Sequence, residues 1–81
     1  KSMAEGTFYI IGLVLKTGAF PLKRGMTVLE AVAAAGGYDR LADPKRQVIF
    51  RKIGGKLLEV EATDSTPLMP NDILKVPEAW F

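Results

Sequence analysis

Eighty-one residues, 48% hydrophobic and 25% charged, suffice for one folded domain and exclude both a two-domain chain and a disordered one. Neither cysteine nor histidine occurs, so disulfide staples and His- or Cys-based catalysis are excluded, and apolar packing must offset an ordering cost of roughly 1.5 kcal/mol per residue. The formal charge is only +2, and the bases are scattered as Lys16, Lys23-Arg24, Arg40, Lys45-Arg46 and Arg51-Lys52; that pattern reads as a solvated surface, not as the dense basic stripe of a nucleic-acid binder.

Residues 1–6 are expected to be linker or expression-vector residues, since Lys1-Ser2-Met3 lacks the apolar core and cleavage site of a secretory signal. Phe8 to Leu15 (FYIIGLVL) is β-branched and aromatic and runs into the turn-forming Thr17-Gly18, which predicts a strand. Its alternating sets, Phe8, Ile10, Gly12, Val14 and Tyr9, Ile11, Leu13, Leu15, are both apolar, as in a sheet covered on both sides. The stretch is far shorter than the roughly 20 residues a membrane-spanning helix needs, so no direct membrane insertion by this segment is expected. Ala19 to Leu22 predicts a second strand folded back on the first, with Pro21 confining it to an edge or to a non-bonded ladder position.

Thr27-Val28-Leu29-Glu30 has the form of a capping box, in which the Thr27 hydroxyl accepts from the Glu30 amide and the Glu30 carboxylate accepts from the Thr27 amide. A short apolar helix over 28–35 follows, stopped by Gly36-Gly37. Alanines at 31, 33, 34 and 35 are expected to let helix and sheet backbones approach closely. Tyr38 to Arg46 reads as an irregular connection anchored by Leu41, because Pro44 bars a regular helix. Gln47 to Lys52 and Lys56 to Ala62 predict a second hairpin turned at Gly54-Gly55. After the polar loop Thr63 to Pro67 and a turn at Pro70-Asn71, Ile73 to Val76 is a last strand, stopped by Pro77. Two hairpins flanking one helix, with a closing strand, predict an α+β fold of the β-grasp type: a mixed sheet of about five strands wrapped on one short helix.

The chain resembles the soluble-ligand-binding β-grasp (SLBB) domain of bacterial polysaccharide export proteins of the outer-membrane auxiliary type. The matching residues are Tyr9-Ile10-Ile11-Gly12, Pro21-Leu22, Gly25-Met26-Thr27-Val28-Leu29-Glu30-Ala31, Ala35-Gly36-Gly37, and Pro70 with Asp72-Ile73 and Val76-Pro77. The resemblance runs over 7–77 and makes residues 78–81 a tail leading to the next element of a parent protein. The family usually has Gly-Glu-Val in its first strand, where this chain has Gly12-Leu13-Val14. That change leaves Tyr9, Leu13 and Leu15 as a candidate interface with a neighbouring domain or subunit, the alternative being that another part of the same domain covers them.

The resemblance implies a periplasmic, non-enzymatic module of a capsule or exopolysaccharide export apparatus, whose partners are other domains or subunits of the same ring-forming protein. The β-grasp domain of competence proteins, which take up DNA, is the alternative setting. Among the side chains, Tyr38, Arg40, Lys45, Arg46 and Arg51 are candidate contacts for an anionic polysaccharide, offering an aromatic face and charge-assisted hydrogen bonds; the opposing reading has Tyr38 packed over the helix end and the bases solvated. No cofactor is expected. Glu59 and Glu61 share a strand face and read as solvated charges. Asp39, Asp43 and Asp64 lack the spaced oxygen ligands of a calcium loop, and Gly36-Gly37 follows a helix where a phosphate-binding loop would precede one.

Overall fold

The computed structural model describes residues 4–79. In chain order they form β1 (Ala4–Gly12), β2 (Gly18–Lys23), α1 (Val28–Ala34), a 3-10 turn (Pro44–Arg46), β3 (Val48–Ile53), β4 (Lys56–Glu61) and β5 (Ile73–Val76). The strands make one mixed sheet in the order β2-β1-β5-β3-β4, with β5 parallel to β1 and the other neighbouring pairs antiparallel. This is the expected α+β, β-grasp-like fold: two hairpins, one helix, and a last strand slotted between them. Pro21 sits on the edge strand β2, as its missing amide requires.

The capping box forms as its residues dictate. The Thr27 amide donates to Glu30 Oε1 at 2.9 Å and the Glu30 amide donates to Thr27 Oγ1 at 3.5 Å. The next two free amides of α1 are also satisfied, Val28 N–H by the Thr66 carbonyl and Leu29 N–H by that of Asp64. The helix start is thereby fastened to the loop between β4 and β5. Gly36, at φ +90°, ends the helix. Val28, Ala31, Val32 and Ala35 face the sheet and are buried, whereas Leu29, Ala33 and Ala34 are exposed. Two alanines, not four, therefore set the close approach, because a helix this short presents one narrow stripe. They pack with Phe8, Ile10, Leu22, Ile49, Leu74 and Val76 of the strands, and the Phe8 and Phe20 rings stack at 5.7 Å between centroids.

Two local expectations need correction. The first strand is Ala4–Gly12, not Phe8 to Leu15. It begins early because Ala4 and Gly6 continue the ladder to Lys23 and Leu22 across a bulge, so β1 takes in residues expected to be linker. It ends early because Gly12 lies at φ +97° with its α-carbon against the Val76 backbone, which turns the chain out of the sheet. Leu41 does not anchor the connection after α1 but is exposed; the Ala42 amide donates to the Asp39 carbonyl and the Leu41 amide to Asp39 Oδ1, a turn that leaves Ala42 and Tyr38 to pack on the core instead. Pro44 bars a regular helix as expected and itself starts a short 3-10 turn, with Asp43 capping it through the Lys45 amide at 3.0 Å. Of the expected tail, Glu78 bridges to Ala42 and the Ala79 amide donates to the Leu41 carbonyl. Residues 1–3 and Trp80-Phe81 lie outside the described residues.

Gly12 generates a direct prediction. A Cβ there would overlap the Val76 carbonyl oxygen while the backbone holds a conformation that L side chains avoid. Gly12→Ala is expected to cost about 3 kcal/mol or more in urea unfolding, whereas Gly25→Ala, whose added Cβ meets nothing within 4 Å, costs only the strain of its positive φ, about 1 kcal/mol.

Candidate interaction surface

Alternation along each strand sends every second side chain away from α1. Residues paired across strands point to the same side, so the outer face follows from the register. One row crosses the sheet as Ala19, Tyr9, Ile73, Phe50 and Glu59; the next runs Ile11, Lys75, Val48 and Glu61. Tyr9 and Ile11 are 39% and 43% exposed, and Val48, Phe50 and Ile73 are half-buried. Among the described residues the sheet is therefore covered on one side only, contrary to the expectation drawn from the doubly apolar first strand. The reason is the size of α1, which fills the inner side alone. The outer side presents five neighbouring apolar strand positions, Tyr9, Ile11, Ile73, Phe50 and Val48, flanked by Lys75 and by two acids on the edge strand β4.

The expected interface trio divides at Gly12. Tyr9 lies on the outer face, where Ile11 joins it. Beyond the turn Leu13 is half-buried, and Leu15 is 65% exposed beside the end of α1, its amide donating to the Gly37 carbonyl. The remaining apolar members of the face, Ile73, Phe50 and Val48, escape sequence reasoning because nothing local tells that β5 lies between β1 and β3.

Of the five expected polymer contacts, Tyr38 and Arg51 are engaged by hydrogen bonds within the chain. Tyr38 is engaged through its hydroxyl, which donates to Asp64 Oδ1 and accepts from Gln47 Nε2, both at 2.8 Å; the same Gln47 amide group also donates to the Pro44 carbonyl. This relay ties the loop after α1 to the 3-10 turn, the start of β3 and the β4–β5 loop. Burial, reinforced by the Asp64 hydrogen bond and charge, pushes the Tyr38 phenol from 10.0 up to about 12, with the Gln47 hydrogen bond pulling the other way. Arg51 is committed to Asp72, which is 1% exposed at its side chain: Nη2 donates to Oδ2 at 2.7 Å and Nε to Oδ1 at 3.0 Å, and Nη2 also reaches the Pro67 carbonyl. The Asp72 hydrogen bond raises the Arg51 guanidinium above its ordinary value, against the opposing effect of burial. The Met69 amide donates to the same carboxylate at 2.8 Å, so the pair clamps the turn into β5.

Arg46 lies 3.7 Å from Asp43, and Arg40 is exposed in the loop after α1. Lys45 shares a cleft of about 730 Å³ with Asp43, Asp64, Thr63 and Ser65, a mixed-charge lining with no excess of positive charge to select an anion. The three aspartates weighed as calcium ligands are each used locally, Asp39 and Asp43 by backbone amides and Asp64 by Tyr38. Among the described residues no group of three acidic side chains is placed to hold a metal ion.

Two predictions follow from these polar links. Because the folded Tyr38 phenol titrates above its ordinary value, its contribution is fully present below about pH 10 and is lost as pH rises toward about 12. Urea unfolding across that range is expected to show a falling stability that Tyr38→Phe largely removes, with the variant about 1 kcal/mol less stable at neutral pH. Arg51→Ala, which strands the buried Asp72 carboxylate, is expected to cost about 3 kcal/mol, and Arg51→Ala/Asp72→Asn to recover a measurable part of it.

The comparisons with known proteins bear on this geometry. No curated protein is a significant match to the chain. The SLBB domain family model matches residues 7–61, from within β1 to the end of β4. SLBB domains are modules of polysaccharide export proteins and of competence proteins. A match over more than half of the chain, on a sheet and helix of the expected kind, makes this protein a member of the SLBB domain family.

Proposed function

We propose that the chain is a non-catalytic structural and binding module of a periplasmic polysaccharide export protein, one that carries capsule or exopolysaccharide at the outer membrane. Its outer sheet face docks against neighbouring domains or subunits of the same protein and so contributes to ring assembly. The observation that carries this reading is the uncovered apolar row of Tyr9, Ile73 and Phe50, extended by Ile11 and Val48. A monomeric domain with no partner gains nothing by leaving such a strip in water, and contiguous apolar patches of this kind mark interaction surfaces. Membership of the SLBB family supports the export setting. The mixed charge of the face and of the Lys45 cleft favours that setting over DNA uptake, which calls for a concentrated positive surface. Of the candidate polymer contacts, Arg40, Lys45 and Arg46 keep exposed side chains.

The test is to introduce Ile11→Glu into the gene that encodes this chain and to follow both the size of the assembled protein and surface polysaccharide. Ile11 is exposed at a strand end, so the domain still folds. The expected outcome is normal protein level with loss of the assembly and of exported polymer. Unchanged assembly and export would contradict the reading.

A further inference from the structure

α1 does not cover the inner side of the sheet along its whole length. Ile53 shares the side of the buried Ile49 on β3 and pairs with Lys56 of β4, yet Ile53 and Lys56 are both exposed. Met69 and Pro70, in the turn before β5, line a cleft with Ile53 and are exposed as well. Gly6 of β1, paired with the buried Leu22, faces Pro70, so Pro70 lies on the same inner side. Past α1 the sheet therefore ends in a row of Lys56, Ile53, Met69 and Pro70, three apolar side chains with a base at the β4 edge. The outer face carries its counterpart in the row Glu59, Phe50, Ile73 and Tyr9, three apolar side chains with an acid at the same edge. Lys56 and Glu59 make no ion pair with any described residue.

We propose that the inner side of the β3–β4 hairpin end of one copy docks on the outer face of the next, so that copies overlap in one sense like roof tiles. The inference rests on the reading of the outer face as an interaction surface, and it names what covers that face. Copies in the same orientation bring the two rows together: Lys56 over Glu59, Ile53 over Phe50, Met69 over Ile73 and Pro70 over Tyr9. Neighbours within each row are one strand spacing, about 5 Å, apart, so a single placement satisfies the apolar and the charged contacts together. Two residues back along the strands, the Arg51 row comes over Val48, Lys75 and Ile11. The start of α1, held near Arg51 through the carbonyls of Thr66 and Pro67, lies there too. Two residues forward, the Gly54-Gly55 turn lies over Lys52 and Leu57 and brings no second base against Lys52. α1 holds the rest of the first copy off the second, so the sheets meet at an angle and each copy is turned relative to the last. A contact between two different surfaces repeats from copy to copy and closes a ring when the turn divides a full circle.

The contact is small, so association of the isolated chain is weak. Sedimentation equilibrium is expected to show a mass rising past two copies as concentration approaches about 1 mM, as suits an interface at the low end of the size range. Ile53→Glu disables the hairpin end and leaves the face, whereas Tyr9→Glu does the reverse; each alone is expected to lower the association constant at least about tenfold. Their equimolar mixture forms a pair that grows no further, because the live hairpin end of one variant meets the live face of the other and no second contact remains. Lys56→Glu and Glu59→Lys, at exposed positions, test the same contact without altering an apolar side chain. Each places like charges together and lowers association about tenfold, and a mixture of the two recovers it to within about twofold, since each hairpin end then finds a complementary face. Arg40→Glu, a charge reversal off the sheet, leaves association unchanged. The proposal is overturned by a single copy at every concentration, by an unaltered chain that stops at two copies, or by failure of the charge-reversed mixture to recover association. It is overturned equally by an Ile53→Glu and Tyr9→Glu mixture that grows past two copies. Any of these removes this counterpart alone; contact of the face with other domains is decided separately by export in the Ile11→Glu strain.

Discussion

A seven-residue helix can cover only one face of a five-stranded sheet, and the rest of the molecule follows from that constraint. On the inner side, α1 is fixed by its capping box and by two carbonyls of the β4–β5 loop, and its two inward alanines bring it down onto Phe8, Ile10, Ile49 and Leu74. On the outer side the described residues supply no second layer. The apolar residues there are not covered by packing within the described chain, and the proposed contact with a partner is what would account for them.

The sheet holds its shape because β5 is fixed at both ends. At its start, the Arg51–Asp72 pair and the Met69 amide hold the turn that delivers the strand between β1 and β3. At its end, Gly12 lets the β1 backbone turn away against Val76, and the Leu13 amide still donates to the Val76 carbonyl. These polar and steric restraints do not resemble a ligand site, even though Arg51 has the residue type of one. A guanidinium that satisfies a buried carboxylate is not available to a polymer, since taking it away would strand the charge beneath. The same logic applies to Tyr38, whose hydroxyl is already shared between Asp64 and Gln47.

Much of the fold was legible in the sequence because its signals are local. Thr27 and Glu30 announce the helix start, Gly36 its stop, Gly54-Gly55 the second hairpin, and Asn71 at φ +70° the turn before the last strand. What local signals do not encode is adjacency. Nothing between Ile73 and Val76 states that this strand runs parallel to β1, so the row joining Tyr9, Ile73 and Phe50 could not be read in advance. The doubly apolar pattern of the first strand predicts burial on both sides, but that is only one of its two explanations. The polar partners Asp64, Gln47 and Asp72 were equally hidden, because each meets a side chain 9 to 26 positions away.

The central claim is that the outer face is open in the isolated chain and closed in its working assembly. Hydroxyl-radical footprinting read by mass spectrometry, applied to the isolated domain and to the intact parent assembly, tests it most directly. The account predicts strong labelling of Tyr9 and Ile11 in the isolated chain and marked protection of both in the assembly, with Leu29 on the outer side of α1 as the internal reference. Equal labelling of Tyr9 and Ile11 in the two states would contradict it.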